Sequence, residues 1–364
     1  MSMPDIEMLM ALSELYGVTI NEIIQADTSE IKYKKEIHLL ESGKKNKRVA
    51  VIGCGRWGTF ISWYLDKIGH KVSLYGRKDS TKLMQLMKNR RNEQLILPDT
   101  VELTTELACC ENVDIVVISV GAQQLSSLCS ELQEMKMKNK ILVLCMKGIE
   151  IDTGRRLSQV VSDALDASNK IAVWLGPGHV QDFYRGIPNC MVIDSTDALL
   201  KDEVIKMFSS ELIRFYYGTD LIGNEIGAAA KNVIGIAAGM LEGLNLSSLK
   251  GALMTRGTKE ISNLIVAMGG NEKTAYGLCL LGDYEATLFS EYSQNLNYGK
   301  CIVQNKKYSK LAEGYYTVKA LHNLSRAYGV ELPICETVFR ILYNKKSASE
   351  ELAGLFERSL KSEL

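Results

Sequence analysis

The run Arg48-Val49-Ala50-Val51-Ile52-Gly53-Cys54-Gly55-Arg56-Trp57-Gly58-Thr59 constrains this chain more than any other feature. An apolar strand ends there in GxGxxG and opens into a helix. The three glycines permit a tight turn, let backbone approach a pyrophosphate, and let helix pack closely on strand, while the helix N-terminus faces the negative charge. A bare glycine triplet also occurs in unrelated turns, so the context decides. Phe60-Ile61-Ser62-Trp63-Tyr64-Leu65 continues the helix, and Lys71-Val72-Ser73-Leu74-Tyr75 reads as a second strand. That is the βαβ unit the motif requires, and it predicts a dinucleotide site with Gly53, Gly55, Arg56, Trp57 and Gly58 against the cofactor.

The second strand ends at Tyr75-Gly76-Arg77-Lys78, about twenty residues past the glycines, where an NAD-selective site usually places an acidic residue for the ribose 2′-hydroxyl. Arg77 and Lys78 could instead pair with a 2′-phosphate, so NAD and NADP are both admitted. The competing reading is an exposed basic turn partnered by Asp79.

With 364 residues, 46% of them hydrophobic, the chain can bury two domains and an appendage. Its 43 basic residues balance 43 acidic ones, so no global field draws it to nucleic acid or to an anionic membrane. The nine cysteines form no CxxC pair and no metal-ligand spacing, as expected of reduced thiols and of a site without metal. No run reaches the ~18 apolar residues of a membrane span, and no signal-peptide pattern opens the chain. The expectation is a soluble cytoplasmic protein with a small-molecule partner, no nucleic acid and no membrane insertion; a homodimer is left open.

Three regions are expected: a helical extension and linker over 1–46, a doubly wound α/β dinucleotide domain over 47–220, and an all-helical catalytic domain over 221–364. The segment PDIEMLMALSELYGVTINEII resembles the last helices of small repressor-type helix-turn-helix domains. It lacks the helix that would enter the major groove, so a packing extension is expected rather than a DNA reader. Candidate strands are Arg48–Ile52, Lys71–Tyr75, Val101–Leu103, Asp114–Val120, Ile141–Cys145, Ile171–Leu175, Cys190–Ile193 and Arg214–Tyr217, most of them continuous apolar runs suited to a sheet covered on both faces. Beyond Leu221 only helical periods remain, broken at Gly269-Gly270-Asn271 and near Leu332-Pro333.

Carboxyl ends of parallel strands hold ligands in α/β sheets, which points Val120 and Lys147 into one crevice. From Ile226 to Leu241 the only polar residues are Lys231 and Asn232, so this helix should be buried all round. A lone lysine there must pair structurally with Glu225 or another carboxylate, or shift its pKa down and serve a polar cavity. With a second cation nearby, Lys147 being the candidate, it becomes a proton donor to a carbonyl under reduction, or the base for the reverse step. Asp283 and Thr287, four residues apart, would share one helical face and orient it.

Together these residues resemble the NAD(P)-dependent glycerol-3-phosphate dehydrogenases of bacterial type. The resemblance covers residues 48 to about 345 and rests on ordered segments: GCGRWGT, KGIE, LGPGHVQDFYRGIPN, IGNEIGAAAKNVIGIAAGMLEGL, ALMTRGTKEI, LLGDYEAT and AEGYYTVKAL. It implies Lys231 as acid/base, Lys147 and Asp283 as active-site polar groups supported by Thr287, and Asn232 on the substrate. Gly176, Gly178 and Asn295 are placed on the substrate side, and Glu313 near the nicotinamide. The implied reaction interconverts dihydroxyacetone phosphate and sn-glycerol 3-phosphate for phospholipid synthesis.

Two departures stand out. The family's Ser-Arg-Asn triplet, whose arginine and asparagine grip phosphate, reads Ser293-Gln294-Asn295 here. A neutral amide replaces a guanidinium fork, so either Lys300 or Arg256 supplies the cation or the substrate is a less anionic 2-hydroxy compound. His179 follows Gly178 where the family commonly has no histidine; it is a candidate substrate contact or a hydrogen-bonded support. A reading of different class, a nicotinamide-sensing regulator with a helix-turn-helix remnant, is disfavoured because a sensor needs no buried proton donor.

Overall fold

The computed structural model of the chain describes residues 46–355 and, outside them, Met10. With that one exception, the segment read as a helix-turn-helix remnant lies outside the described residues. Among those described, eight strands form one sheet: β1 (Arg48–Ile52), β2 (Lys71–Tyr75), β3 (Glu102–Thr104), β4 (Ile115–Ile118), β5 (Ile141–Leu144), β6 (Lys170–Leu175), β7 (Asn189–Asp194) and β8 (Ile213–Tyr217). All eight expected strands are present, with no end shifted by more than two residues.

The strand order is β3-β2-β1-β4-β5-β6-β7-β8. The first six are parallel, in the doubly wound order of a Rossmann domain, and β1 pairs with both β2 and β4. The order reverses between β1 and β4, which opens a crevice at their carboxyl ends. The apolar runs explain the layering: Val49 and Val51 pack on one face with Phe60 and Ile61, while Ala50 and Ile52 pack on the other with Leu125 and Leu128. The reversal at the far edge was not expected. β7 runs antiparallel to β6 and carries β8 parallel to itself.

Past Tyr217 the described residues contain no further strand. The helix Leu221–Gly243 starts at Asp220, whose side chain accepts the Gly223 N–H, and is buried at every position from Gly223 to Leu241. Other helices sheathe it, chiefly Gln294–Val303, Glu313–Tyr328 and Lys250–Ala267. Its small residues permit the closest crossing: a Cβ on Gly239 would lie 2.0 Å from the Leu296 carbonyl oxygen. The expected breaks are present. Gly269 takes a positive φ of 89°, and Pro333 opens the helix Pro333–Tyr343.

Two packing contacts bear on the site. Phe60, on the helix Arg56–Lys67 that follows the glycine turn, stacks on Phe183 at 5.1 Å, which ties that helix to the turn bearing Gly178 and His179. Ala228 of the long buried helix joins the same apolar cluster as Leu144 and Leu175, placing that helix against the sheet.

Candidate active site

Gly53 leaves β1 with a φ of 113°, and a Cβ there would meet the Ser119 carbonyl oxygen at 2.2 Å. A Cβ on Gly58 would strike the Gly53 carbonyl oxygen at 1.7 Å. These two glycines shape the turn from behind. Gly55 behaves differently: nothing lies within 4 Å of its would-be Cβ, it lines an open cavity, and it caps the helix Arg56–Lys67 without a side-chain bond. A helix N-terminus whose N–H groups face an unobstructed glycine suits a pyrophosphate, so the residues present fit a dinucleotide.

That cavity, of about 350 Å³, runs from Gly55, Arg56, Trp57 and Val120 to the long buried helix. At its floor Lys231 Nζ lies 2.8 Å from Asp283 Oδ2 and donates to Thr287 Oγ1 at 2.7 Å. Lys147 Nζ reaches the same Asp283 Oδ2 at 2.6 Å and also donates to the Gly176 carbonyl at 2.6 Å. Two ammonium groups therefore converge on one carboxylate oxygen. Asp283 is fully buried, and its Oδ1 has no partner among the described residues.

Burial lowers the pKa of Lys231 to about 7; the Asp283 charge opposes this shift, and Lys147 adds to it. Two of the three N–H directions of its ammonium are taken by Asp283 and Thr287, which leaves one for the cavity that Lys231 lines. The carboxylate partner is thus Asp283. Glu225, the alternative partner, is engaged by Arg156 at 2.5 Å and by Ser158.

Asp283 and Thr287 do not share an α-helical face as expected. Asp283 ends the 3₁₀ turn Leu281–Asp283, and Thr287 sits in the π-helical turn Glu285–Phe289. Thr287 Oγ1 donates to the Asp283 carbonyl at 2.7 Å while accepting from Lys231, so this irregular segment still turns both residues toward the lysine.

A second polar chain runs from Lys147 through Asn232 to the start of the helix Glu313–Tyr328. Asn232 Nδ2 donates to the Lys147 carbonyl, Asn295 Nδ2 donates to Asn232 Oδ1, and the Gly314 N–H donates to Asn295 Oδ1, at 2.9, 2.9 and 3.0 Å. Glu313 accepts the Ala122 N–H at 3.2 Å, its other carboxylate oxygen has no partner among the described residues, and burial raises its pKa. Gly178 and His179 line the cavity as well, and His179 Nε2 lies 3.1 Å from Glu285, an unforeseen partner.

Other expected residues stay away from this centre. Arg77 lies 3.8 Å from Asp79 and Lys78 lies 3.3 Å from Glu106, and neither lines the cavity. Gly176 contributes its carbonyl to Lys147 without lining the cavity. The two cations offered in place of the missing arginine are also elsewhere: Lys300 pairs with Glu242 at 2.5 Å, and Arg256 is not among the lining residues. Sequence reasoning missed Lys82, Ser119, Gly121, Tyr292 and Leu311, which also line the cavity. Ser119 and Gly121 flank Val120 after β4, and the rule that placed Val120 at a strand's carboxyl end could have found them.

A dinucleotide turn at the switch point of the sheet, sharing one cleft with a low-pKa lysine on a separate helical layer, defines a two-layer nicotinamide-dependent dehydrogenase. Sequence comparison narrows the class. The chain belongs to the NAD-dependent glycerol-3-phosphate dehydrogenase family, whose N-terminal profile matches residues 48–200 and whose C-terminal profile matches residues 220–353. The glycerol-3-phosphate dehydrogenase (NAD(P)+) of Fusobacterium nucleatum is 35% identical over 331 residues, covering 87% of this chain and 98% of that protein. The enzyme of the same name from Thermoanaerobacter sp. is 33% identical over 329 residues, covering 87% and 99%. The crystal structure of glycerol-3-phosphate dehydrogenase from Coxiella burnetii superposes with a TM-score of 0.80 at 25% identity, covering 86% of this chain and all of that one.

Proposed function

We propose that this chain interconverts dihydroxyacetone phosphate and sn-glycerol 3-phosphate with NAD or NADP, and that Lys231 is the acid/base. The observation that carries the reading is the meeting of Lys231, Lys147 and Asp283 at the floor of the cavity that Gly55 opens. The names of these relatives support the choice of substrate. In this reading residues 47–220 hold the cofactor, residues 221–364 carry the acid/base, and the product feeds phospholipid synthesis.

When bound, the nicotinamide supplies or takes the hydride; the rest of the chemistry is a proton transfer. In reduction, protonated Lys231 gives its cavity-facing N–H to the carbonyl oxygen as negative charge develops there. Lys147, held by Gly176 and Asp283, keeps a second positive charge beside that oxygen. Asp283 balances the two ammonium groups, and Thr287 fixes the direction of Lys231. In oxidation neutral Lys231 takes the hydroxyl proton.

A second reading, a less anionic carbonyl substrate, is favoured by one observation: Gln294 is neutral where the family grips phosphate. A steady-state assay with dihydroxyacetone phosphate and each reduced cofactor decides between them. Turnover with dihydroxyacetone phosphate is expected. Absence of turnover with both cofactors, alongside reduction of an uncharged hydroxyketone, would overturn the assignment.

A further inference from the structure

The neutral Gln294 is not alone at its end of the cavity. Its Nε2 donates to the Tyr292 carbonyl at 3.2 Å, and its Oε1 accepts from the Tyr308 hydroxyl at 2.5 Å, so both ends of the amide are engaged. The same Tyr292 carbonyl is approached from across the cleft by Arg56 Nη1 at 3.5 Å. A guanidinium on the glycine turn and an amide 238 positions later in sequence therefore share one acceptor.

Arg56 is suited to an anion. Of its five N–H donors, only Nη1 is engaged among the described residues, at the long limit of a hydrogen bond. Among the described residues no carboxylate lies at ion-pair distance from it, and Glu93 acts only from further away. The other ammonium groups deep in the cavity are committed, Lys147 and Lys231 both to Asp283. Lys82 adds a further positive charge on the lining. Arg56 is half-buried; partial desolvation of its guanidinium lowers its pKa, and a dianionic phosphate beside it would offset that cost.

We propose that Arg56 is the substrate-phosphate anchor of this chain, a charge relocated from position 294 to the glycine turn across the cleft. This rests on the proposed function and deepens it: the substrate remains a phosphate monoester although the triplet has lost its arginine. Arg56 then sets specificity for the phosphate and takes no part in proton transfer. The rival assignment gives the guanidinium to the cofactor pyrophosphate.

The test compares the parent with Arg56→Ser, Gln294→Arg and the double variant, all saturated with NAD+ or NADH. Three quantities are read: kcat/KM for dihydroxyacetone phosphate relative to unphosphorylated dihydroxyacetone, the Kd of inorganic phosphate by calorimetry, and the Kd of cofactor. Arg56→Ser is expected to lower the phosphate preference about 10- to 100-fold and weaken inorganic phosphate by a similar factor, with much less effect on cofactor. Gln294→Arg in that background should restore most of the loss, which a merely structural role for Arg56 would not allow.

An unchanged phosphate preference, or a loss confined to cofactor affinity, overturns the proposal. If the parent reduces no dihydroxyacetone phosphate yet Arg56→Ser still weakens inorganic phosphate, the anchor stands and the substrate assignment fails instead.

Discussion

Glu225 and Lys231 lie on one helix, fewer than two turns apart, and both are buried, yet their surroundings differ in kind. The Glu225 carboxylate accepts the Ser158 N–H at 2.9 Å, the Ser158 hydroxyl at 2.6 Å and Arg156 at 2.5 Å. Both carboxylate oxygens are engaged, and the pair clamps the helix to the Leu157–Ala164 helix of the sheet layer. Lys231 sits beside Asp283, whose Oδ1 has no partner among the described residues, shares that aspartate with a second lysine, and lines a cavity. In the proposed mechanism the buried charge that serves the fold is partnered by protein on both oxygens, and the one that serves chemistry is left a partner short for the substrate to complete.

Substitutions at the two positions should separate chemistry from stability. Lys231→Met should lower kcat by about 10³-fold, worth ~4 kcal/mol of transition-state stabilisation, while NADH affinity measured by fluorescence stays close to the parent. Retained turnover would erase the distinction between the two charges. Glu225→Ala should leave the kcat of the folded enzyme near the parental value. Urea denaturation should show a loss of about 3–5 kcal/mol, because the change strands Arg156, whose side chain is only 12% exposed. A collapse of kcat without loss of stability would place Glu225 with the chemistry.

A third substitution probes the same helix where it carries no charge. Gly239→Ala would force a methyl group onto the Leu296 carbonyl oxygen, 2.0 Å from its Cβ position. The expected cost is about 1–3 kcal/mol in urea denaturation, smaller than that of breaking the Glu225 clamp. An equal or larger cost would mean that close packing, rather than the ion pair, dominates the stability of this helix.

The comparison also separates what could be read along the chain from what could not. The glycine turn was legible because strand, glycines and helix are contiguous, and the burial of the long helix followed from sixteen residues with two polar ones. The reversed β7–β8 pair was not, because an apolar strand carries no mark of its direction. Lys231 announced itself as a misfit in an apolar run; that its partner is Asp283 and not the nearer Glu225 depends on tertiary packing. The irregular turns around Asp283 and Thr287 leave no mark in the sequence, because a four-residue spacing is shared by a regular helix and several turn types. The sequence ties Arg56 only to the cofactor turn, since its neighbour Tyr292 lies 236 positions away.

The pH dependence of kcat/KM for the carbonyl substrate, measured in both directions, tests the central claim most directly. With the Lys231 pKa lowered to about 7 by burial, reduction needs the protonated amine and should fall as pH rises through about 7, whereas oxidation needs the neutral amine and should rise over the same range. By linkage, the contribution of this lysine to stability is complete above its ordinary value and is lost as pH falls through about 7. Opposed inflections near neutrality, absent from the residual activity of Lys231→Met, are the predicted result. Profiles that stay flat through neutrality, or inflections that survive removal of the amine, would contradict the account.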